Sequence, residues 1–167
     1  MPASRLDTGP FVFRAAPCAG DPGAVREIVA SSGFFNDAEI AVAVELVEER
    51  LKTGESCGYH FLFAERDGRV CGYTCFGPIP CTASSFDLYW IAVHEDSRGT
   101  GLGRELMVRS EEMMRTMGAE RVYIETSSRA QYQPTQGFYL RCGYVQAACF
   151  ADFYAPGDGK IVYVRTL

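Results

Sequence analysis

Apolar residues recur along this chain at two spacings, and these spacings predict where the helices and strands lie. Spacings of three and four residues predict helices from Asp21 to near Gly33, over 37–52, over 101–117 and near 133–142. Short runs rich in aromatic and β-branched residues predict strands at 11–15, 59–66, 69–77, 86–93, 120–126, 144–153 and 160–166. This order predicts an α/β (α+β) fold: a mixed, mostly antiparallel sheet of about seven strands flanked by about four helices.

Composition narrows the function classes. The 167 residues are close to the usual size of one domain, so we predict a single domain over 1–167. No run approaches the ~20 apolar residues of a membrane span, and the first residues lack the apolar run of a signal peptide. A net charge of −5 without a basic cluster argues against a nucleic-acid partner. We therefore expect a monomer or homodimer that binds neither nucleic acid nor a membrane.

The cysteine and histidine pattern bears on location and on metal binding. The chain has seven cysteines at irregular spacing, which favours free thiols in a reducing cytoplasm. Cys71 and Cys75 lie four residues apart on a predicted strand, where core packing is the expected role. Neither His60 nor His94 has a zinc-like spacing to cysteines, so we predict no metal.

The most informative segment is 98–103, which lies between the strand 86–93 and the helix 101–117. A loop that opens a helix presents unpaired backbone N–H groups at the positive end of the helix dipole, which makes it an anion site. Glycines let that backbone approach a phosphate closely, and arginine adds a charged, forked donor. The residues predicted to hold a phosphorylated cofactor are Arg98, Gly99, Thr100, Gly101, Leu102, Gly103 and Arg104.

Two common phosphate motifs do not describe this loop. The dinucleotide pattern GxGxxG needs a further glycine where Arg104 or Leu106 stands, and the P-loop Gly-Lys-Ser/Thr is absent. The segment does match Arg/Gln-x-x-Gly-x-Gly/Ala, and here the chain resembles the GNAT acetyltransferase superfamily. Residues 137–144, Gly-Phe-Tyr-Leu-Arg-Cys-Gly-Tyr, resemble the later Phe-Tyr-x-x-x-Gly-Phe/Tyr motif of that superfamily.

The resemblance implies an N-acetyltransferase that moves an acetyl group from acetyl-CoA to a primary amine by direct transfer in a ternary complex. It implies that main-chain groups of Ala92 and Val93 bind the pantetheine arm and stabilise the oxyanion. It also implies that Tyr139 lies beside the cofactor sulfur and acts as the general acid.

The general base has three candidates. Members of the superfamily carry an acidic residue where this chain has Asp87, another subset carries its base at the position of Glu125, and a water chain is the third possibility. By strict alternation along the strand, Asp87 points to the same face as Tyr89, Ile91 and Val93. The sequence alone does not identify which of these candidates is the general base.

The resemblance places the acceptor pocket between the first two helices and the last hairpin. The candidate substrate contacts there are Phe34, Phe35, Asp152 and Tyr154, which combine aromatic and acidic side chains. We expect a small amine or amino acid, while a polyamine-like metabolite or a peptide or protein amine remains open.

One segment departs from the superfamily pattern. The connection at 127–136 is longer than usual and lacks the common Asn, so Ser127 or Ser128 is expected to replace its contact with the pantetheine arm. A non-catalytic acyl-CoA sensor is the alternative function. It would keep the loop at 98–103 but would need neither Tyr139 nor an acidic residue on the central strands.

Overall fold

The computed structural model describes residues 9–167, which form one seven-stranded sheet with helices on both faces. The strands are β1 (Val12–Arg14), β2 (His60–Arg66), β3 (Arg69–Pro78), β4 (Ser85–Val93), β5 (Arg121–Ser127), β6 (Val145–Ala155) and β7 (Asp158–Thr166). Their spatial order is β1-β2-β3-β4-β5-β7-β6, and every neighbouring pair is antiparallel except β4 and β5. The predicted mixed, mostly antiparallel sheet is confirmed.

Four α-helices flank this sheet: α1 (Asp21–Ser31), α2 (Asp37–Thr53), α3 (Leu102–Thr116) and α4 (Gln133–Arg141). The start of α2 is fixed by a capping box, because Asn36 Oδ1 accepts from the Glu39 N–H and Glu39 Oε2 accepts from the Asn36 N–H. This cap also holds the connection that carries Phe34 and Phe35. None of the helices in the described part of the chain has the length and apolar character that crossing a bilayer requires.

The core consists of two layers, one on each face of the sheet. Helices α1 and α2 bury Val25, Ile28 and Val47 against Phe63 and Tyr73 of the central strands. On the opposite face, α3 and α4 bury apolar side chains against β4, β5 and β7. Those side chains include Met107, Met114, Tyr139, Phe86, Leu88, Ile124 and Tyr163.

The parallel strands β4 and β5 pair only at their beginnings. Ser85, Phe86 and Asp87 lie opposite Arg121, Val122 and Tyr123, and the ladder holds no further pair. Beyond these three pairs the strands separate, while β4 stays paired with β3 as far as Val93. The sheet therefore opens into a gap between the second halves of β4 and β5.

A β-bulge in β4 interrupts the strict alternation of side chains that is expected from the sequence. Cys75 pairs with Trp90 and Phe76 pairs with Leu88, which leaves Tyr89 without a partner on β3. The extra residue reverses the alternation, so Leu88 and Ile91 both pack toward α3 and α4, while Trp90 packs toward α1 and α2. Asp87 therefore shares a face with Trp90 and Ala92, and the expectation that it shares one with Ile91 and Val93 is wrong.

Candidate active site

The gap between β4 and β5 is a cleft of about 710 Å³. Its walls come from β4, the end of β5, the α1–α2 connection, and the beginnings of α3 and α4. Of the candidate site residues singled out from the sequence, those that line it are Phe34, Phe35, Ala92, Val93, Arg98, Gly103, Glu125, Ser127, Tyr139 and Tyr154. Residues far apart along the chain thus meet in one space.

At one end of the cleft, the loop 98–103 leads into α3. Gly99 and Gly101 have positive φ angles of 73° and 86°, and Gly101 is the N-cap of α3. The Thr100 hydroxyl donates to the Ser97 carbonyl at 2.7 Å, which fixes the turn. The loop places the first N–H groups of α3 at an open helix N-terminus, the arrangement that binds phosphate.

The remaining residues of the predicted loop site differ in their surroundings. Arg98 Nε donates to the Val93 carbonyl at 3.4 Å, which ties the loop to the end of β4. The side chain of Leu102 is 1% exposed and packs in the core with Leu106, so only its main chain is available to a ligand. Gly99, Thr100, Gly101 and Arg104 lie outside the lining of the cleft.

Tyr139 lies on α4 and lines the cleft. Its ring packs against Tyr163 and Tyr144, with ring centroids 5.7 and 6.3 Å away. Burial raises the pKa of Tyr139, with smaller contributions from Cys142 and Tyr163, so the phenol keeps its proton at neutral pH. Its hydroxyl has no hydrogen-bond partner within residues 9–167, which leaves a proton donor available at the cleft.

The two candidate carboxylates lie near each other on neighbouring strands. Glu125 lines the cleft and forms an ion pair with Lys160 of β7 at 3.2 Å. Asp87 does not line the cleft. The pKa of Asp87 is raised to about 6, mainly by burial and also by the charge of Glu125, while Lys160 opposes the rise. A carboxylate with a pKa near neutrality accepts a proton in the range where general bases work best.

Two of the predicted ligand contacts, Asp152 and Ser128, form hydrogen bonds within the protein and lie outside the cleft. The Asp152 carboxylate accepts from the Gly157 N–H at 2.7 Å and lies outside the cleft, where it shapes the β6–β7 hairpin. The Ser128 hydroxyl accepts from the Gly159 N–H at 2.8 Å, and the Ser128 N–H donates to the Gly159 carbonyl at 2.8 Å. Ser128 thus joins the end of β5 to β7 and does not line the cleft.

Comparison with known proteins identifies the family. The sequence model described as the acetyltransferase (GNAT) family matches residues 25–144. A protein from Desulfovibrio desulfuricans assigned to the GNAT family of acetyltransferases has 42% sequence identity and a TM-score of 0.92, over 94% of this chain and 99% of that one. This chain belongs to the GNAT family of acetyltransferases. It is an acyltransferase.

More distant solved structures share the GNAT fold. The ribosomal-protein-S18-alanine N-acetyltransferase of Escherichia coli has 18% identity and a TM-score of 0.74, over 94% of each chain. The yncA protein of Salmonella typhimurium, solved with acetyl-CoA as its cofactor, has 21% identity and a TM-score of 0.73, over 95% of each chain. No curated protein sequence matches the chain.

The cleft of this GNAT protein has room for an extended cofactor arm beside β4. A Cβ at Gly103 would come within 3.5 Å of the Phe138 ring and 3.8 Å of Val93, so the passage between α3 and α4 is narrow there. An open helix N-terminus at one end and apolar β4 residues along the side suit a pyrophosphate followed by a pantetheine arm. Residues 9–167 contain no group of three or more His, Cys, Asp or Glu side chains placed to hold a metal ion.

Sequence reasoning missed a polar cluster that lines the cleft where β5 ends beside the β6–β7 hairpin. Ser127 Oγ donates to Asp158 Oδ1 at 2.5 Å, Arg129 Nε lies 3.2 Å from Asp158 Oδ2, and all three residues line the cleft together with Tyr132. Asp158 is explained locally as part of a turn, Pro-Gly-Asp-Gly. Only the pairing of β5 with β7 brings it to Ser127 and Arg129, so no local signal in the sequence indicates the cluster.

Proposed function

We propose that this GNAT acetyltransferase moves the acetyl group of acetyl-CoA directly to a primary amine while both substrates occupy the cleft. One observation supports the proposal: the residues proposed to bind phosphate (Arg98 and Gly103), those proposed to meet the acceptor (Phe34 and Glu125) and Tyr139 all line a single cleft. No cysteine among residues 9–167 lines this space, which favours direct transfer over an acylated cysteine.

The acyl donor is held by main-chain groups. The N–H groups of the loop 98–103 and the first turn of α3 bind the pyrophosphate, and Arg98 adds a charged donor. Ala92 and Val93 offer main-chain groups to the pantetheine arm along β4. When bound, acetyl-CoA supplies a thioester whose C–S bond breaks as the C–N bond to the amine forms.

Two proton movements accompany the transfer. The ammonium form of the acceptor gives one proton to a carboxylate, Asp87 or Glu125, directly or through water, and becomes a neutral nucleophile. The Oη of Tyr139 donates a proton to the departing sulfur and regains one from the nitrogen or from solvent. Main-chain N–H groups near Ala92 and Val93 stabilise the negative charge that develops on the carbonyl oxygen.

We also propose that the chain works as one domain in the cytoplasm. Support for one domain comes from the continuous sheet that residues 9–167 form. All seven cysteines are free, although three of them are exposed, which fits a reducing compartment.

The experiment that tests the proposal measures thiol release from acetyl-CoA with a panel of amines. The panel contains amino acids, amino-acid amides, diamines and short peptides with a free N-terminus. We expect release with at least one class of amine, and Tyr139→Phe should lower kcat by at least ~10²-fold, the usual minimum for a lost acid or base.

Tyr163→Phe is the matched control, because it removes a hydroxyl from a neighbouring ring that does not line the cleft. Its turnover should stay within about threefold of the parent enzyme, since no reacting group is removed. Tight binding of acetyl-CoA without thiol release from any amine would contradict the proposal and favour a sensor.

A further inference from the structure

Arg129 has an unusual pattern of partners at the acceptor end of the cleft. Its Nε is held by Asp158 Oδ2 at 3.2 Å and by Ser127 Oγ at 3.4 Å. Neither of its Nη groups forms a hydrogen bond within residues 9–167, and the residue lines the cleft. One edge of the guanidinium is thus fixed by the protein, and the other offers N–H donors to a ligand.

The fixed edge orients the free edge. Asp158 is itself held by the short hydrogen bond from the Ser127 hydroxyl, and the backbone N–H of Arg129 donates to Ser127 Oγ at 3.1 Å. Because these contacts restrain the guanidinium before any ligand arrives, less conformational freedom is lost on binding. A restrained guanidinium with two free Nη groups is suited to a carboxylate, which it binds through two parallel hydrogen bonds.

Two carboxylates, of which Glu125 is paired with Lys160, lie near this part of the cleft. Glu125 lines the cleft four residues before Arg129, and Asp87 lies next to Glu125. A ligand between these groups and Arg129 therefore meets carboxylates on one side and a guanidinium on the other. A zwitterion fits this arrangement, with its ammonium toward Glu125 and its carboxylate toward Arg129.

An aromatic wall completes the acceptor end. Phe35 lies edge-on to Trp90 at 5.1 Å and to Tyr132 at 6.3 Å, and Phe34 is 5.8 Å from Tyr132. All four rings line the cleft. Such a wall contributes apolar and ring–ring contacts but few hydrogen bonds, so it suits an apolar or aromatic side chain.

We propose that the acceptor is a free α-amino acid with an aromatic or large apolar side chain, whose carboxylate binds the Nη groups of Arg129. This inference rests on the proposed function and assigns Arg129 as the residue that determines acceptor specificity. The α-amine then lies on the side of Glu125, where the proton is taken, and the side chain packs on Phe34, Phe35 and Tyr132.

The test compares two substrates that differ only in the group facing Arg129. L-Phenylalanine carries a carboxylate, and L-phenylalaninamide carries a neutral amide of nearly the same shape. We expect kcat/KM of the parent enzyme to be about 10- to 100-fold higher for phenylalanine, the effect of a hydrogen bond to a charged group. Arg129→Gln should lower kcat/KM for phenylalanine by about the same factor and change that for the amide by less than about threefold.

Arg121→Gln is the matched control, because Arg121 lies exposed at the start of β5, the strand that precedes Arg129, and outside the cleft. It should leave the preference for phenylalanine unchanged. Calorimetric affinity for coenzyme A, unchanged in both variants, shows that the donor site is intact.

Three outcomes overturn the inference. The parent enzyme acetylates phenylalaninamide or 1,5-diaminopentane as efficiently as phenylalanine, or it acetylates only peptides, or Arg129→Gln lowers kcat/KM for acid and amide equally. Each of these leaves the proposed acetyl transfer standing. Absence of thiol release with every amine is the separate result that contradicts the proposed function itself.

Discussion

At the scale of single residues, the environment of Asp87 sets the expected pH dependence. Its pKa is raised from the ordinary value of 3.8 to about 6, mainly by burial and also by the neighbouring charge of Glu125, while Lys160 opposes the rise. Between these two pH values the folded protein binds a proton that the unfolded chain has released. The free energy of unfolding that this site contributes therefore falls as the pH rises through that window and is constant above it.

The same shift predicts the acidic limb of the pH–rate profile. If Asp87 accepts the proton from the amine, kcat/KM rises with pH around an apparent pKa near 6. Glu125→Gln should move this limb to lower pH, because it removes the negative charge that raises the pKa of Asp87 while Lys160 remains. Asp87→Asn should abolish the limb and lower kcat/KM by at least ~10²-fold. Persistence of the limb in Asp87→Asn assigns the base to Glu125 or to a water chain.

At the scale of elements, the loop and first turn of α3 carry the donor site. Gly101 and Gly118 flank this helix with φ angles of 86° and 93°, and a Cβ at either position meets no atom within 4 Å. The two glycines therefore impose similar backbone strain on any substituent and differ mainly in position. This makes them a matched pair for separating ligand binding from stability.

Gly101→Val should weaken coenzyme A binding by at least about tenfold, because the side chain occupies space that the phosphates need and disturbs the αL turn. Gly118→Val should lower the thermal midpoint of unfolding by about as much as Gly101→Val does, since a non-glycine residue with a left-handed backbone costs about 1–2 kcal/mol at either position. It should leave the affinity for coenzyme A unchanged. Calorimetry with coenzyme A and thermal unfolding without ligand measure the two effects. Equal affinity in Gly101→Val and the parent protein would contradict the assignment of the phosphate loop.

The sequence predicted these elements well because their signals are local. The aromatic and β-branched runs and the glycine loop before an amphipathic helix each depend on residues near one another. The bulge at Tyr89 depends on how β4 pairs with β3, and the Ser127–Asp158–Arg129 cluster depends on how β5 pairs with β7. Asp152 looked like a ligand contact because its hydrogen bond to Gly157 is invisible without the hairpin geometry.

At the scale of the whole molecule, a buried ionic network joins α3 to the C-terminal half of the sheet. Glu111 is 2% exposed and accepts from the Tyr144 hydroxyl at 2.9 Å, and Arg165 Nη1 lies 2.9 Å from its Oε2. Arg165 Nη1 also donates to the Cys142 carbonyl at 2.7 Å. The network therefore holds the end of α4, the helix that carries Tyr139, to α3 and β7.

Glu111→Ala should destabilise the protein by about 3 kcal/mol, because it leaves a partly buried Arg165 without its counter-charge and the Tyr144 hydroxyl with only the weak acceptor Met107 Sδ, 3.5 Å away. Glu105→Ala is the matched control on the same helix. Its exposed ion pair with Arg109, at 2.8 Å, contributes about 0.3–0.5 kcal/mol. Urea unfolding measures both, and a loss below about 1 kcal/mol in Glu111→Ala would contradict a stabilising role for the network.

The bulge at Tyr89 makes β4 intolerant to a change in length. Loss of one residue between Asp87 and Ile91 would restore strict alternation along β4. Only one half of the strand could then keep its apolar side chains on their present face of the sheet. If Ile91 stayed in the core, Phe86 and Leu88 would turn away from α3 and α4 and Asp87 would take their place in the apolar layer. If Phe86 and Leu88 stayed, Trp90 and Ala92 would be displaced from the layer under α1 and α2. The packing on both faces of the sheet therefore fixes the number of residues between Asp87 and Ile91.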